Sequence, residues 1–360
     1  MGRELQDRGW VSVLAMSRDV ILAQHWVARQ ANRQVAGVTV PAVTLSRLAL
    51  ATVAILAVPG CAGTSSSTGA GPTPTTRASS PTPSHHSRSS NPSTPTTTPA
   101  GSGATKLLVF VVENHSLSEM RSQMPWTDAL GLRYGYAADF HAMTHPSLPN
   151  YLAIAGGTTF GVQDDQAPSA HPISGPSVFG EALAHGRSAR VYADAMPGPC
   201  MLTDAGEYAV RHNPWTYFTS ERPDCQTLDV PMDRYAADVR AGRLPDAGMV
   251  VPDLCHDAHD CSLATADAWM RQKVGLAMSG SDFRSGRLAV VVTADEDDGS
   301  EGNVVLTTLI HPSVRGMVAT SPLSDLSLSR LYSEVLGVPP LRESATAPSM
   351  AQAFGLTLGR

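Results

Sequence analysis

Two short apolar runs, LLVFVV at 107–112 and LAVVVTA at 288–294, leave little choice of architecture. Both are rich in β-branched residues and show no polar alternation, the pattern of a strand covered on both faces. Each stops at an acidic tip: Glu113-Asn114 after the first, Asp295-Glu296-Asp297-Asp298-Gly299 after the second. Further strands are expected at 187–193 and 304–310, and helices at 127–134, 148–155, 177–186, 264–279 and 327–336. Strands alternating with helices imply an α/β domain with a mostly parallel sheet. Ligands of such sheets bind outside the carboxyl ends of the strands, so the two acidic tips are candidates for one shared site.

Ahead of this domain the chain changes character twice. Residues 48–58, LALATVAILAV, follow Arg47 and precede Pro59-Gly60-Cys61. The run is too short for an ordinary bilayer span. A basic flank, a short apolar core and a small residue before cysteine read as an export signal of the bacterial lipoprotein type over 38–61, with Cys61 the lipidated residue. A plain cleaved signal or an uncleaved anchor is the alternative, and either exports the chain. Residues 1–37 read as an over-extended start or an unstructured extension. From 62 to 105 there is no Leu, Ile, Val, Met, Phe, Trp or Tyr. Such a segment cannot bury enough apolar surface to fold, and is expected to be a disordered Ser/Thr/Pro tether. The folded domain is thus assigned to 106–360.

Export makes the other cysteines interpretable as two bridges. Cys200, Cys225, Cys255 and Cys261 allow three pairings, of which the sequence-local one joins Cys200 to Cys225 and Cys255 to Cys261. Over 106–360 the chain holds 29 Asp and Glu against 18 Lys and Arg, which disfavours nucleic acid as a partner. Acidic residues that handle an anion would need a bound cation to reverse the local sign.

The chemistry-bearing residues fall in a few segments. In Thr144-His145-Pro146-Ser147-Leu148-Pro149-Asn150-Tyr151 the serine stands where a helix starts, with Pro149 in its first turn. Free N–H groups and the positive dipole end suit a phosphate, although an N-capping serine would look the same. Pro252 to Cys261 packs two histidines and three aspartates between residues a disulfide could pin. His115, His141, His171 and His185 read as structural.

Taken in order, Glu113-Asn114-His115-Ser116, His145-Pro146-Ser147-Leu148-Pro149-Asn150-Tyr151, His212-Asn213-Pro214, His256-Asp257-Ala258-His259-Asp260 and Thr293-Ala294-Asp295-Glu296 resemble the phosphoesterase family of bacterial acid phosphatases and phospholipases C. The likeness runs from about 107 to 356 and is strongest to short secreted mycobacterial acid phosphatases. It implies a three-layer, alkaline-phosphatase-like α/β/α sandwich. It also implies a divalent metal ion held by Glu113, Asn114, Asp295 and Glu296, Ser147 as nucleophile, and His212 and His259 lining the phosphate pocket. One departure is Asp325-Leu326, where relatives carry a His-Tyr pair. The expected activity is exported acid phosphatase action on phosphate monoesters through a phosphoserine, with a lipid anchor to the membrane. The alternatives are a phospholipase C and an inactive envelope lipoprotein of the same fold. No G-x-S-x-G elbow or G-x-x-x-x-G-K-[ST] loop occurs, which disfavours acyl-transfer and nucleotide-driven classes.

Overall fold

The computed structural model describes residues 103–359. The signal segment with Cys61 and nearly all of the tether lie outside the described residues. The last part of the expected tether does not: Ala104 is buried and forms a parallel bridge with Leu358, so the folded chain takes in residues ahead of 106.

The strands are β1 (Lys106–Val112), β2 (Gly135–Ala137), β3 (Phe140–His141), β4 (Ala189–Ala193), β5 (Asp229–Pro231), β6 (Ala247–Val251), β7 (Leu288–Ala294), β8 (Thr307–Ile310), β9 (Met317–Ala319) and β10 (Leu323–Ser324). Eight form one sheet in the order β5-β4-β6-β1-β7-β8-β2-β9, and β3 pairs with β10 apart from it. β8 runs antiparallel to both its neighbours, while every other adjacent pair of the large sheet is parallel. The two apolar runs are immediate neighbours, paired in register from Lys106 opposite Leu288 to Val112 opposite Ala294. Their acidic tips therefore emerge side by side.

Helices cover both faces, giving the expected α/β sandwich. Leu117–Gln123, Pro125–Arg133, Tyr235–Arg240, Leu263–Ser279 and Ser281–Arg284 pack with one another; Ser147–Gly156, Val178–Ala184, Asp325–Leu336 and Met350–Phe354 form the second group. On the first side Phe110 meets Tyr235 and Trp269 edge-on, with ring centroids 6.4 and 6.3 Å away. On the second, Tyr332 donates to the Gly248 carbonyl at 2.7 Å. Each large apolar side chain buried this way contributes roughly 1.5–3 kcal/mol.

The short strands β2, β3, β5, β9 and β10 lie outside the expected set, and two further departures concern the central sheet. β6, the strand between β4 and β1, has no counterpart among the anticipated strands. Its sequence, AGMVV, is short and begins with small residues; at Gly248 the strand packs so closely on β1 that a Cβ would stand 2.7 Å from Leu108 Cδ1 and displace it. β8 starts at Thr307, not 304, because Val304 forms an isolated bridge to His141. Both expected bridges form, Cys200–Cys225 and Cys255–Cys261. No helix among the described residues is long and apolar enough to cross a membrane.

Candidate active site

The parallel strands end on one side of the sheet, and four of them deliver a carboxylate there: Glu113 after β1, Asp194 after β4, Asp253 just beyond β6 and Asp295 after β7. Asn114 bends the chain sharply after Glu113, with φ of 45°, a left-handed conformation that asparagine tolerates better than most residues. Its backbone N–H donates to Asp295 Oδ1 at 3.2 Å, which ties the two strand tips together.

Glu113 is fully buried at the centre. Its Oε2 accepts from Ser147 Oγ at 3.0 Å and its Oε1 from the Tyr151 hydroxyl at 2.7 Å. Ser147 is the first residue of its helix; Pro146 holds the capping position without a side-chain bond. The serine hydroxyl is therefore turned toward the carboxylates and does not cap its helix. One turn on, Asn150 donates from Nδ2 to Glu296 Oε2 at 3.2 Å, while its Oδ1 accepts from the Met143 and Thr144 amides. Helix periodicity thus puts Ser147, Asn150 and Tyr151 against the strand tips together.

The Asn114 side-chain amide lies 3.1 Å from both Glu113 Oε2 and Glu296 Oε1. With nitrogen facing them it donates to both; with oxygen facing them, three oxygens converge on one point. The second arrangement is what a hard divalent cation with oxygen ligands requires. Asp295 Oδ2 is buried with no hydrogen-bond partner, an orphaned charge-bearing atom of the kind an ion would satisfy. Glu113, Asn114, Asp295 and Glu296 therefore fit a metal. Glu113 also belongs to a second convergent group with His212 and Asp257, whose ligand-type atoms all lie within 4.8 Å of one another.

His212 is stacked on Tyr151, with centroids 5.2 Å apart. Its Nε2 stands 3.1 Å from Glu113 Oε1 and its Nδ1 3.2 Å from Asp257 Oδ2, yet both contacts are off the hydrogen-bond axis and neither nitrogen has a partner. Burial, reinforced by the nearby charges of Arg211 and His259, holds its pKa well below the usual histidine range. His259 is half-exposed beside it, 6.1 Å between rings, and is braced by Asp260 Oδ1 at 2.7 Å and by Arg211 at 3.2 Å. The Cys255–Cys261 bridge closes the loop that carries both Asp257 and His259.

With carboxylates this crowded, burial raises their proton affinity. It pushes Asp257 and Asp295 each to about 7. Glu296 rises to about 9 through burial and then the neighbouring charges of Asp295, Asp165 and Asp297. Glu113 is driven well above the carboxylate range by burial, then by Asp295 and Asp257. Clustered, perturbed groups of this kind at strand ends mark functional sites. A cavity of about 420 Å³ opens beside them, lined by Asn114, His145, Glu296, Asp297, Asp298 and Gly299.

Glu113, Asn114, Ser147, His212, Asp295 and Glu296 lie together at the strand tips, while His259 stands one step out, beside His212 and with its side chain held by Asp260 and Arg211; several others join them. Tyr151, Asn150 and Asp257 lay inside recognised motifs, but nothing in the sequence distinguished their side chains from helix packing or loop polarity. His145 spans Glu296 at 3.1 Å and Asp297 at 3.3 Å. Asp325, at the start of Asp325–Leu336, is fully buried; it accepts from the Met143 amide at 3.1 Å, has its Oδ1 unpartnered, and feels the charge of Asp295.

Residues 110–315, more than half the chain, match the Phosphoesterase family, and the chain belongs to it; by class it is a phosphoric-ester hydrolase. Among curated relatives, it is 29% identical over 255 residues to a phosphatidylinositol-3-phosphatase of Mycobacterium tuberculosis, covering 69% of this chain and 82% of that protein. It is 26% identical over 205 residues to an acid phosphatase of Aspergillus fumigatus, covering 53% of this chain and 44% of that one. The chain thus spans less than half the length of the fungal enzyme. A solved Vibrio parahaemolyticus protein in the alkaline phosphatase superfamily aligns with a TM-score of 0.45 at 11% identity, over 71% of this chain and 74% of its own.

Proposed function

We propose that the chain is a metal-dependent phosphomonoesterase of the acid-phosphatase type, acting through a phosphoserine at Ser147. The observation that carries this reading is the Ser147 hydroxyl: it stands at the start of a helix, takes no part in capping it, and donates at 3.0 Å into a buried carboxylate cluster. A divalent ion held by Glu113, Asn114, Asp295 and Glu296 would polarise a phosphoryl oxygen and favour the serine alkoxide.

The protein's own groups account for the rest. Ser147 Oγ attacks phosphorus in line, its proton passing toward Glu113, while the ester P–O bond breaks and the alcohol leaves. His259 protonates that alcohol. His212, held neutral by burial, is the poorer acid, and serves as a neutral hydrogen-bond donor in the phosphate pocket. Water then attacks the phosphoserine and releases inorganic phosphate.

Phosphatase-named relatives support the monoester reading over a phospholipase C. The two disulfides support export, with Cys61 as the lipidated membrane anchor and the Ser/Thr/Pro segment ahead of residue 103 as tether. The test is hydrolysis of p-nitrophenyl phosphate by the purified protein after chelation, with each divalent ion added back, beside Ser147→Ala. Turnover that survives chelation, or a Ser147→Ala protein at wild-type rate, refutes the reading. Diacylglycerol released from phospholipid, with no phosphate released from monoesters, would favour the phospholipase C.

A further inference from the structure

The helix Ser147–Gly156 has an unusual start. Its capping position is Pro146, no acidic residue stands in its first turn, and Pro149 contributes no N–H. The Leu148 N–H, next to the Ser147 hydroxyl, is instead taken by Asp165 Oδ1 at 2.9 Å, from a loop beyond the far end of the helix.

This contact differs from a structural cap found elsewhere in the molecule. Asp267 caps the helix Pro125–Arg133, but it is buried and accepts three bonds, from the Trp126 and Thr127 amides and the Thr127 hydroxyl. Asp165 is exposed and accepts one. Its neighbours are fastened down: Asp164 to His171 at 2.5 Å, and the Gln166 carbonyl to the Tyr217 hydroxyl at 3.0 Å. The loop is held while the Asp165 side chain keeps room to turn into solvent.

The carboxylate also lies within the site's electrostatic field. Its charge acts on Glu296, His212 and Tyr217. His212, fully buried against Glu113 and Asp257 with neither ring nitrogen in a hydrogen bond, is among the groups that feel the Asp165 charge. A phosphoryl group on Ser147 Oγ would carry an oxygen within reach of the N–H of the following residue, at the positive end of the helix dipole. That donor is the one Asp165 holds.

We infer that Asp165 belongs to the phosphate subsite, its carboxylate standing in for a phosphoryl oxygen on the Leu148 N–H and yielding that donor when the phosphate ester binds. The inference rests on the reading of Ser147 as nucleophile. Its consequence is competition: the carboxylate weakens the binding of every phosphate dianion, substrate and product alike.

The experiment compares wild type with Asp165→Asn, which keeps an acceptor oxygen but removes the charge, and with Asp165→Ala. KM for p-nitrophenyl phosphate and Ki for inorganic phosphate are measured with the divalent ion that supports turnover, beside the thermal midpoint. Both constants should fall together by about three- to tenfold in Asp165→Asn, the scale of one charge at a helix terminus. Unchanged constants with a lowered midpoint would make Asp165 a structural cap. Raised constants, or a lost kcat with weaker ion binding measured by calorimetry, would make it a ligand. Either result overturns the inference while leaving Ser147 in place. A wild-type protein that neither turns over nor binds inorganic phosphate would remove the Ser147 reading, and the inference with it.

Discussion

The buried carboxylates make stability of the ion-free protein depend on pH in the direction opposite to ordinary acid unfolding. Asp295 rises from 3.8 to about 7 on folding because burial disfavours its charged form. Between those values the folded state holds a proton that the unfolded chain has released, so stability falls as pH rises. The contribution is fully present below about 4 and gone above about 7. A displacement of that size corresponds to about 4 kcal/mol for one fully buried group. Asp257 moves over the same interval, but both face Glu113, so the second proton is lost against an existing charge and the pair contributes less than twice this. For a domain of this size each kcal/mol moves the thermal midpoint by about 2–4 °C. About 3 kcal/mol of the Asp295 contribution falls between pH 4.5 and 7.5, so a chelated sample should lose about 6–12 °C across that interval from this group alone. A divalent ion binds only the deprotonated ligands, and at a thousandfold excess over its Kd restores about 4 kcal/mol at the upper pH. The assay is a melt followed by circular dichroism across this range, with and without the ion, beside Asp295→Asn. A chelated protein whose midpoint is flat or rises from pH 4.5 to 7.5, with no response to divalent ions, refutes the reasoning.

Other consequences are more local. Tyr151→Phe removes the 2.7 Å donor to Glu113 Oε1, leaving a buried oxygen short of a partner; a loss of about 1–3 kcal/mol in denaturant unfolding is expected, with reduced kcat. Asp229 is pushed to about 8 by burial, with Asn213 as its hydrogen-bond donor at 2.9 Å, so its stabilising contribution is fully present below about pH 4 and gone above about pH 8. Asp229→Asn should flatten the midpoint between about pH 5 and 8, and a slope equal to wild type would contradict the assignment. Cys255→Ser with Cys261→Ser opens the short loop that carries Asp257 and His259, at about 2 kcal/mol of stability. Activity should fall well beyond the unfolded fraction, as a comparison of turnover with the circular dichroism signal would reveal.

What could be read from sequence follows the physics of each element. Long apolar strands flanked by acidic tips are unambiguous, and LLVFVV and LAVVVTA form adjacent central strands as expected. The strand AGMVV is short, and its glycine, packed close against Leu108 of β1, weakens the apolar pattern that would announce it. The seven residues named for the centre lie within ordered motifs, and the fold gathers six of them at the strand tips with His259 beside His212. Asp165 was hidden for another reason: its partner is a backbone N–H across a loop, and a backbone group leaves no trace in residue identity. Asp325 drew attention only as a departure, and its burial beside the cluster could not be foreseen from an exposed-looking Ser-Asp-Leu.

The central claim is that Ser147 receives the phosphoryl group. Acid-quenching the protein during turnover of a phosphate monoester, then mapping phosphopeptides by mass spectrometry, tests it most directly. Phosphate should appear on Ser147, and should vanish in Ser147→Ala and after chelation. Sustained release of phosphate with Ser147 unmodified at every quench time would contradict the account.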